Sequence, residues 1–287
     1  MNPFFQQHVS KAILRAESLK LSSSAKTTGL DGRRLGTRTG NALEFAEYRD
    51  YHPGDDIRRL DWRVFARSER FMVKMFSEEI DPRCDIIIDQ SASMAVHDEK
   101  AAAALSITAL LAVAAQNAGF SLSVWHAADV WEKEPVPYTP LDWINTDFNA
   151  ALSPGSTIAA VPAAFHKRGL RIVISDFLWP EEPAHFLRPL TDGALRTFAL
   201  QLLHEDDLSP SQDLFTTLQD AESAEERNLL LDDATITAYK QRLTTHLSLW
   251  ERACNDFAVT LIRLNPAELL RSWDISPLSA LLSSWKL

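Results

Sequence analysis

Cysteine is scarce: the chain of 287 residues holds two, Cys84 and Cys254. One opens an apolar run and the other falls in a helical pattern, so they form no disulfide framework of the kind that staples small secreted domains. Long apolar runs are missing too. The longest, 101–115, is rich in alanine and contains Ser106 and Thr108. A membrane span needs roughly 20 strongly apolar residues, so this run reads as a core helix. The first 20 residues are amphipathic, and His8, Lys11, Arg15, Glu17 and Lys20 leave no signal-peptide core. A cytoplasmic, reducing location with no transmembrane segment is expected. A Gly-rich phosphate loop with its lysine is absent, so no nucleotide site of that type is expected. The eight histidines lack metalloprotease spacing.

What is present is ordinary globular composition, 46% hydrophobic and 24% charged, enough to bury a core. The net charge of −10 is unevenly spread. Residues 1–80 carry 14 Lys and Arg against 11 Asp and Glu, whereas residues 81–287 carry 15 against 28. That leaves +3 on the first part and −13 on the second. An acidic body excludes general nucleic-acid binding, which needs a basic face. The first part mixes its signs closely, as at Asp55-Asp56-Ile57-Arg58-Arg59, and reads as a salt-bridged surface.

The pattern predicts an amphipathic helix over 4–20, a Ser/Thr/Gly-rich loop over 22–40, and two β-like runs near 44–48 and 71–76. From residue 83 apolar strands alternate with helices. Strands are expected at 84–89, 120–126, 171–176, 196–203 and 259–264, and helices at 99–117, 143–152, 158–168, 181–190 and 234–257. The segment 209–233 is polar and β-like in places. Such alternation predicts an α/β fold with a doubly wound, mainly parallel sheet over 81–287, preceded by an N-terminal α/β extension over 1–80.

In an open parallel sheet, ligands bind beyond the carboxyl ends of the strands. Two expected core strands end in aspartate, Asp89 and Asp176. The first runs on as Asp89-Gln90-Ser91-Ala92-Ser93, one carboxylate and two hydroxyls at alternate positions. Oxygen ligands of this kind suit a hard cation such as Mg²⁺, with Mn²⁺ or Ca²⁺ as alternatives. The loop Pro154-Gly155-Ser156-Thr157 adds a hydroxyl, and Asp176 a second carboxylate. Each part has a plainer reading: the aspartates or Thr157 as helix N-caps, the serines as turn residues. The strand–loop–helix context at both aspartates, with a threonine loop between, favours a metal site.

Asp89-x-Ser91-x-Ser93, Thr157 and Asp176 resemble, in order, the metal-ion-dependent adhesion site of von Willebrand factor type A domains. The string Glu44-Phe45-Ala46-Glu47-Tyr48-Arg49-Asp50-Tyr51-His52-Pro53-Gly54-Asp55-Asp56-Ile57-Arg58-Arg59-Leu60-Asp61-Trp62-Arg63, with Val73-Lys74 and Glu78-Glu79, resembles the signature of the bacterial domain of unknown function 58 family. Asp220 and Glu222 resemble a late acidic pair of that family, and Ile158 departs from it, standing where many members have Asp. The resemblance covers about 32–267. It implies an accessory role beside a MoxR-type AAA+ ATPase or its client, in protein maturation or metal insertion, with a partner carboxylate completing the metal's coordination. A metal-dependent protein-binding adaptor, not an enzyme, is therefore expected.

Two other classes compete. One is a hydrolase or phosphatase on the same scaffold, with a strand-end aspartate as phosphoryl acceptor. It lacks the second acid two residues on, where Ser91 stands, and Ser91 and Ser93 lack the flanking glycines of a nucleophile elbow. The other is a structural interaction domain with an empty site. Between Glu44 and Arg63 no catalytic set is visible. Glu47, Asp55, Asp56 and Asp61 are expected to pair with Arg49, Arg58, Arg59 and Arg63 while Tyr48, Tyr51 and Trp62 pack. A partner-binding surface of Tyr48, Arg49, Asp55, Asp56, Arg58, Trp62 and Arg63 is the alternative. His52 reads as a turn histidine beside Pro53-Gly54.

Overall fold

The structure, a computed structural model, describes residues 2–22, 43–78, 82–136, 139–160, 165–209, 216–219, 226–229 and 232–284. In chain order the elements are α1 (Pro3–Ala16), β1 (Leu19–Leu21), β2 (Leu43–Asp50), α2 (Trp62–Ser68), β3 (Met72–Glu78), β4 (Arg83–Asp89), α3 (Asp98–Asn117), β5 (Ser121–Ala127), β6 (Trp131–Lys133) and α4 (Pro154–Thr157). Then come β7 (Leu170–Ser175), α5 (Pro183–Thr191), β8 (Arg196–Leu202), α6 (Glu205–Leu208), β9 (Thr216–Gln219), β10 (Glu226–Leu229), α7 (Asp233–Asp256), β11 (Val259–Leu264), α8 (Pro266–Ser272) and β12 (Leu282–Ser284).

The chain divides into two compact units, Met1–Ala25 with Pro82–Leu287, and Lys26–Asp81. The larger unit is built on a six-stranded sheet in the order β11-β8-β7-β4-β5-β6. All neighbours run parallel except β6, which returns antiparallel along β5. Side chains alternate across a strand, and the two faces are covered separately. Ile86, Ile88, Ile172, Ile174, Phe198 and Leu200 point into one core with α1, α3 and α8. Ile87, Val173 and Ala199 point into the other, with Phe186, Leu187 and Leu190 of α5 and Trp250 and Cys254 of α7. This is the doubly wound α/β architecture that the strand–helix alternation predicts.

α3 is buried along nearly its whole length, from Lys100 to Ala115. Its alanines make that possible, because small side chains let a helix sink between a sheet and its neighbours at native packing density. No helix among the described residues is long and apolar enough to cross a membrane.

Four expectations are corrected. The boundary near residue 80 lies at Asp81/Pro82, but residues 1–25 belong to the body and not to an N-terminal extension. α1 lays the fully buried Val9, Ala12 and Ala16 against the core that contains α3. β1, in a stretch assigned to the first helix, pairs antiparallel with β12 at the other end of the chain. The helix expected over 143–152 is a short 3-10 turn, Asp142–Asn145, followed by irregular chain. That chain is held by strand-like pairing: Ala150 N–H donates to Gln90 O at 3.1 Å, and Ala92 N–H to Ala150 O at 3.2 Å. In place of the helix over 158–168, a 3-10 turn spans Ile158–Ala160 and 165–168 are non-helical; 161–164 lie outside the described residues. The loop expected over 22–40 and the acidic pair Asp220 and Glu222 also lie outside them, apart from Ser22.

The smaller unit pairs β2 with β3 antiparallel, with a bulge between Phe45 and Glu47, and carries α2.

The docking of α1 and β1 yields a test. Asn117, at the end of α3, donates its side-chain amide to the carbonyls of Ala16 and Leu19, both at 3.0 Å. Asn117→Ala leaves these acceptors without that partner and is expected to cost about 1–3 kcal/mol. Urea denaturation would read the loss, and an unchanged midpoint would show that this bridge does not hold the first 22 residues.

Candidate metal centre

Adjacent strands β4 and β7 bring two aspartates to the carboxyl edge of the sheet, both fully buried: Asp89 ends β4, and Asp176 follows β7. Asp89 accepts from Ser91 N–H at 2.8 Å through Oδ1 and from the Ser175 hydroxyl at 2.6 Å through Oδ2. The turn this makes places the Ser91 and Ser93 hydroxyls 3.0 Å apart. Asp176 is aimed by its own loop: Oδ1 accepts from Leu178 N–H at 3.0 Å, and Gln201 donates to its carbonyl at 3.0 Å. Phe177, next in line, has a left-handed backbone with φ of 54°, a strained state for a residue with a Cβ. It is held there by the Ser175 hydroxyl, which accepts Phe177 N–H at 2.8 Å, and by burial of its ring against Trp179, Phe186 and Trp250.

The electrostatics are unusual. Burial pushes the Asp89 carboxyl well above the ordinary carboxylate range, and the nearby Asp176 charge pushes it further; the bonds from Ser175 and Ser91 only partly offset this. Asp176 has a counter-ion. Lys100, 1% exposed, sets its ammonium 3.1 Å from Asp176 Oδ2 and 2.8 Å from Asp207 Oδ2, and 3.4 Å from the Ser93 carbonyl. Burial opposes the charge on Lys100, but Asp176 and Asp207 outweigh it and hold its pKa above the usual lysine value.

Asp89, Ser91, Ser93 and Asp176 thus form one connected cluster. Thr157 is buried at the end of α4, in the segment that follows the Ala150 pairing with the Asp89 loop. Its hydroxyl donates to Ser153 O at 3.1 Å and accepts from Trp131 Nε1 at 2.8 Å. Among the described residues no hydrogen bond joins Thr157 to the other four. Gly155 is required here, since a Cβ would lie 2.6 Å from Trp179 Nε1.

The donor set fits a hard cation: one carboxylate and two hydroxyls close together, with a second carboxylate beside them. Sequence reasoning missed Lys100, Ser175 and Asp207. Lys100 carried a faint signal, as the last of the charged residues Asp98-Glu99-Lys100 before an alanine-rich apolar run. Ser175 and Asp207 carried none, because their roles arise only from the pairing of β4 with β7 and the approach of α6 to α3.

The signature residues lie in the smaller unit. Arg49 pairs with Asp55 at 2.7 Å, and Arg70 with Asp50 at 2.9 Å. Asp55 also accepts from His52 N–H at 2.9 Å, so His52 is a turn residue. Asp56 caps the 3-10 turn by accepting from Arg58 N–H. Asp61, buried, is the hub: it accepts from the Tyr48 hydroxyl at 2.7 Å and from Arg63 N–H at 2.9 Å, and pairs with Lys74 at 3.0 Å. The Tyr48 and Lys74 bonds hold its carboxyl far below the usual range. Among the described residues the ion-pair partner of Asp61 is therefore Lys74, not Arg49, Arg58 or Arg63, and no ion pair involves Arg58 or Arg63. The side chains of Glu47 and Arg59 lie outside the description. Trp62, at 58% exposure, stands out from the surface.

Fold and site together define a doubly wound α/β protein with an acid-and-hydroxyl cluster at the carboxyl edge of its sheet. The chain belongs to the family described as "Protein of unknown function DUF58", whose model matches residues 47–248. Similar proteins from Mycobacterium bovis and Mycobacterium tuberculosis, both described as uncharacterized, are 29% identical over 246 residues. The alignment covers 80% of this chain and 77% of each relative.

The raised Asp89 carboxyl predicts the sign of a pH effect. The folded protein keeps this proton where the unfolded chain has lost it, so metal-free stability falls as pH rises from the ordinary carboxylate range toward neutrality. Asp89→Asn is expected to flatten that slope and, in EDTA at neutral pH, to be at least as stable as the parent. Melting temperatures across pH in EDTA would check this; a steeper slope in Asp89→Asn refutes it.

Proposed function

We propose that this protein is a metal-dependent protein-binding adaptor of von Willebrand factor type A kind, in which Asp89, Ser91, Ser93, Thr157 and Asp176 hold a divalent cation, Mg²⁺ by preference. The observation that carries the reading is the pair of buried carboxylates at neighbouring strand ends, with the Ser91 and Ser93 hydroxyls beside them. Two like charges inside a protein repel strongly, and Lys100 neutralises Asp176 while sharing itself with Asp207. A bound cation relieves the charge that remains on Asp89. When present, it supplies a Lewis-acidic centre only partly neutralised by its neutral hydroxyl ligands.

This chain's own residues do the rest. Asp89 and the two serines supply oxygens, and Ser175 orients the Asp89 carboxylate. Asp176 adds charge, fixed in direction by Lys100 and the Leu178 N–H. The site is built to hold an ion and to present it at an edge, where a carboxylate from a partner makes a charge-assisted contact. The body is acidic, so an acidic partner is repelled unless a cation intervenes, which makes association metal-dependent. The resemblance between Glu44 and Arg63 points to a MoxR-type AAA+ ATPase, or its client, as the partner in the cytoplasm. Arg49, Asp55 and Asp61 serve as a structural network in this reading, with the exposed Trp62 and Arg63 as the rival interface.

Two measurements test it. Mg²⁺ or Mn²⁺ is expected to raise the melting temperature, by about 2.7 kcal/mol of stabilisation at a hundredfold excess over the dissociation constant, and Asp89→Ala to abolish the rise. In a pull-down with a MoxR-type AAA+ ATPase, Asp89→Ala and EDTA are each expected to weaken the complex while the fold survives. A complex indifferent to both, yet lost in Trp62→Ala or Arg63→Ala, would make the signature surface the interface and the metal-edge mechanism wrong.

A further inference from the structure

We propose that His97, His204 and Asp206 form a second metal site, for a borderline divalent ion such as Zn²⁺, Co²⁺ or Ni²⁺, distinct from the oxygen cluster at Asp89. The three side chains come from two separate turns of chain. His97 precedes α3, while His204 and Asp206 lie where β8 runs into α6. The two imidazoles stack with ring centres 3.9 Å apart. Asp206 Oδ2 lies 3.6 Å from His97 Nε2 and 3.4 Å from His204 Nδ1. All three candidate ligand atoms fall within 4.8 Å of one another. A tetrahedral ion with bonds of about 2.0–2.1 Å sets its ligands roughly 3.3 Å apart, close to the spacing seen here; without an ion, His204 Nδ1 accepts Asp206 N–H at 3.3 Å, a long capping bond that coordination through this nitrogen would replace.

The scaffold behind these residues is fixed. His204 N–H donates to Asp207 Oδ2 at 2.8 Å, and Asp207 is the carboxylate that holds the buried Lys100. Lys100 lies one turn beyond His97 on α3, so both histidines are tied to one ion pair. The outer side is open: the side chains of His97, His204 and Asp206 are 25%, 15% and 56% exposed. Three protein ligands with an open fourth position resemble the donor number of zinc sites that keep a water or accept an incoming group. Two imidazole nitrogens select against Mg²⁺ and Ca²⁺, which take oxygens, and in favour of the later transition metals. The sequence hid the site, because the two histidines lie 107 positions apart.

Cobalt is the probe. Titration of Co²⁺ into the EDTA-treated, dialysed full chain is expected to give the intense visible absorption of a low-coordinate Co²⁺ centre, abolished by Zn²⁺ and unaffected by excess Mg²⁺. His97→Gln and His204→Gln are each expected to weaken Co²⁺ binding about tenfold or more, with far-ultraviolet circular dichroism unchanged. Asp89→Ala is expected to leave the band intact, which separates this site from the proposed adaptor site. A parent protein that gives no band overturns the proposal, as does a band that survives both histidine changes or that disappears in Asp89→Ala. A histidine variant that misfolds is replaced by Asp206→Asn on the exposed side, and Co²⁺ binding undiminished there overturns it equally.

Discussion

Lys100 is a fully charged side chain sealed inside the protein, with its ammonium between Asp176 and Asp207. Burying an ion costs several kcal/mol even after relaxation, and only good geometry with both carboxylates offsets that. The contact fixes more than its own three residues. It ties α3 to the end of β7 and to α6 at the carboxyl edge of the sheet. Among the described residues it also leaves Asp89 without a cationic partner, and that imbalance raises its carboxyl above the ordinary range.

The rest of the edge is arranged around this imbalance. Ser175 bonds to Asp89 and also accepts the N–H of Phe177, so one hydroxyl both orients a carboxylate and stabilises a left-handed turn. The aromatic cluster of Phe177, Trp179, Phe186 and Trp250 lies directly behind. Its packing keeps Phe177 in a backbone state that it would otherwise leave, and it limits residue 155 to glycine by occupying the space of a Cβ. Rigidity at the edge is therefore drawn from the core between the sheet, α5 and α7. A preorganised site of this kind loses little entropy when it takes up an ion.

In the smaller unit the organising group is again a carboxylate, but one fully supplied with donors. Asp61 receives Tyr48, Lys74 and the first backbone amides of α2. Such a group is ionised and inert, a structural anchor. The same residue type thus sits in opposite settings: Asp61 has a cation and a full set of donors, whereas Asp89 is fully buried with two neutral donors, Ser91 N–H and the Ser175 hydroxyl.

The sequence by itself determined the class of fold and the positions of β4, β7, β8, β11, α3 and α7, each to within a residue or two. Apolar runs buried on both faces of a parallel sheet, and a long alanine-rich helix, leave patterns that survive without knowledge of partners. It also marked Asp89, Ser91, Ser93 and Asp176, because a strand end followed by polar residues is a local signal. What it did not determine was pairing over distance. Residues 143–152 look helical by periodicity, yet Ala150 gives its backbone to Gln90 and Ala92, since the loop beside Asp89 needs those hydrogen bonds. The docking of α1 on α3, and of β1 on β12, joins the two ends of the chain, and no short window contains both. Lys100 reads as one more polar residue at a helix start until β7 and α6 close over it. Tertiary structure alone decided these features, because burial and the approach of distant carboxylates set the energy of a charge, and neither quantity is written in local sequence.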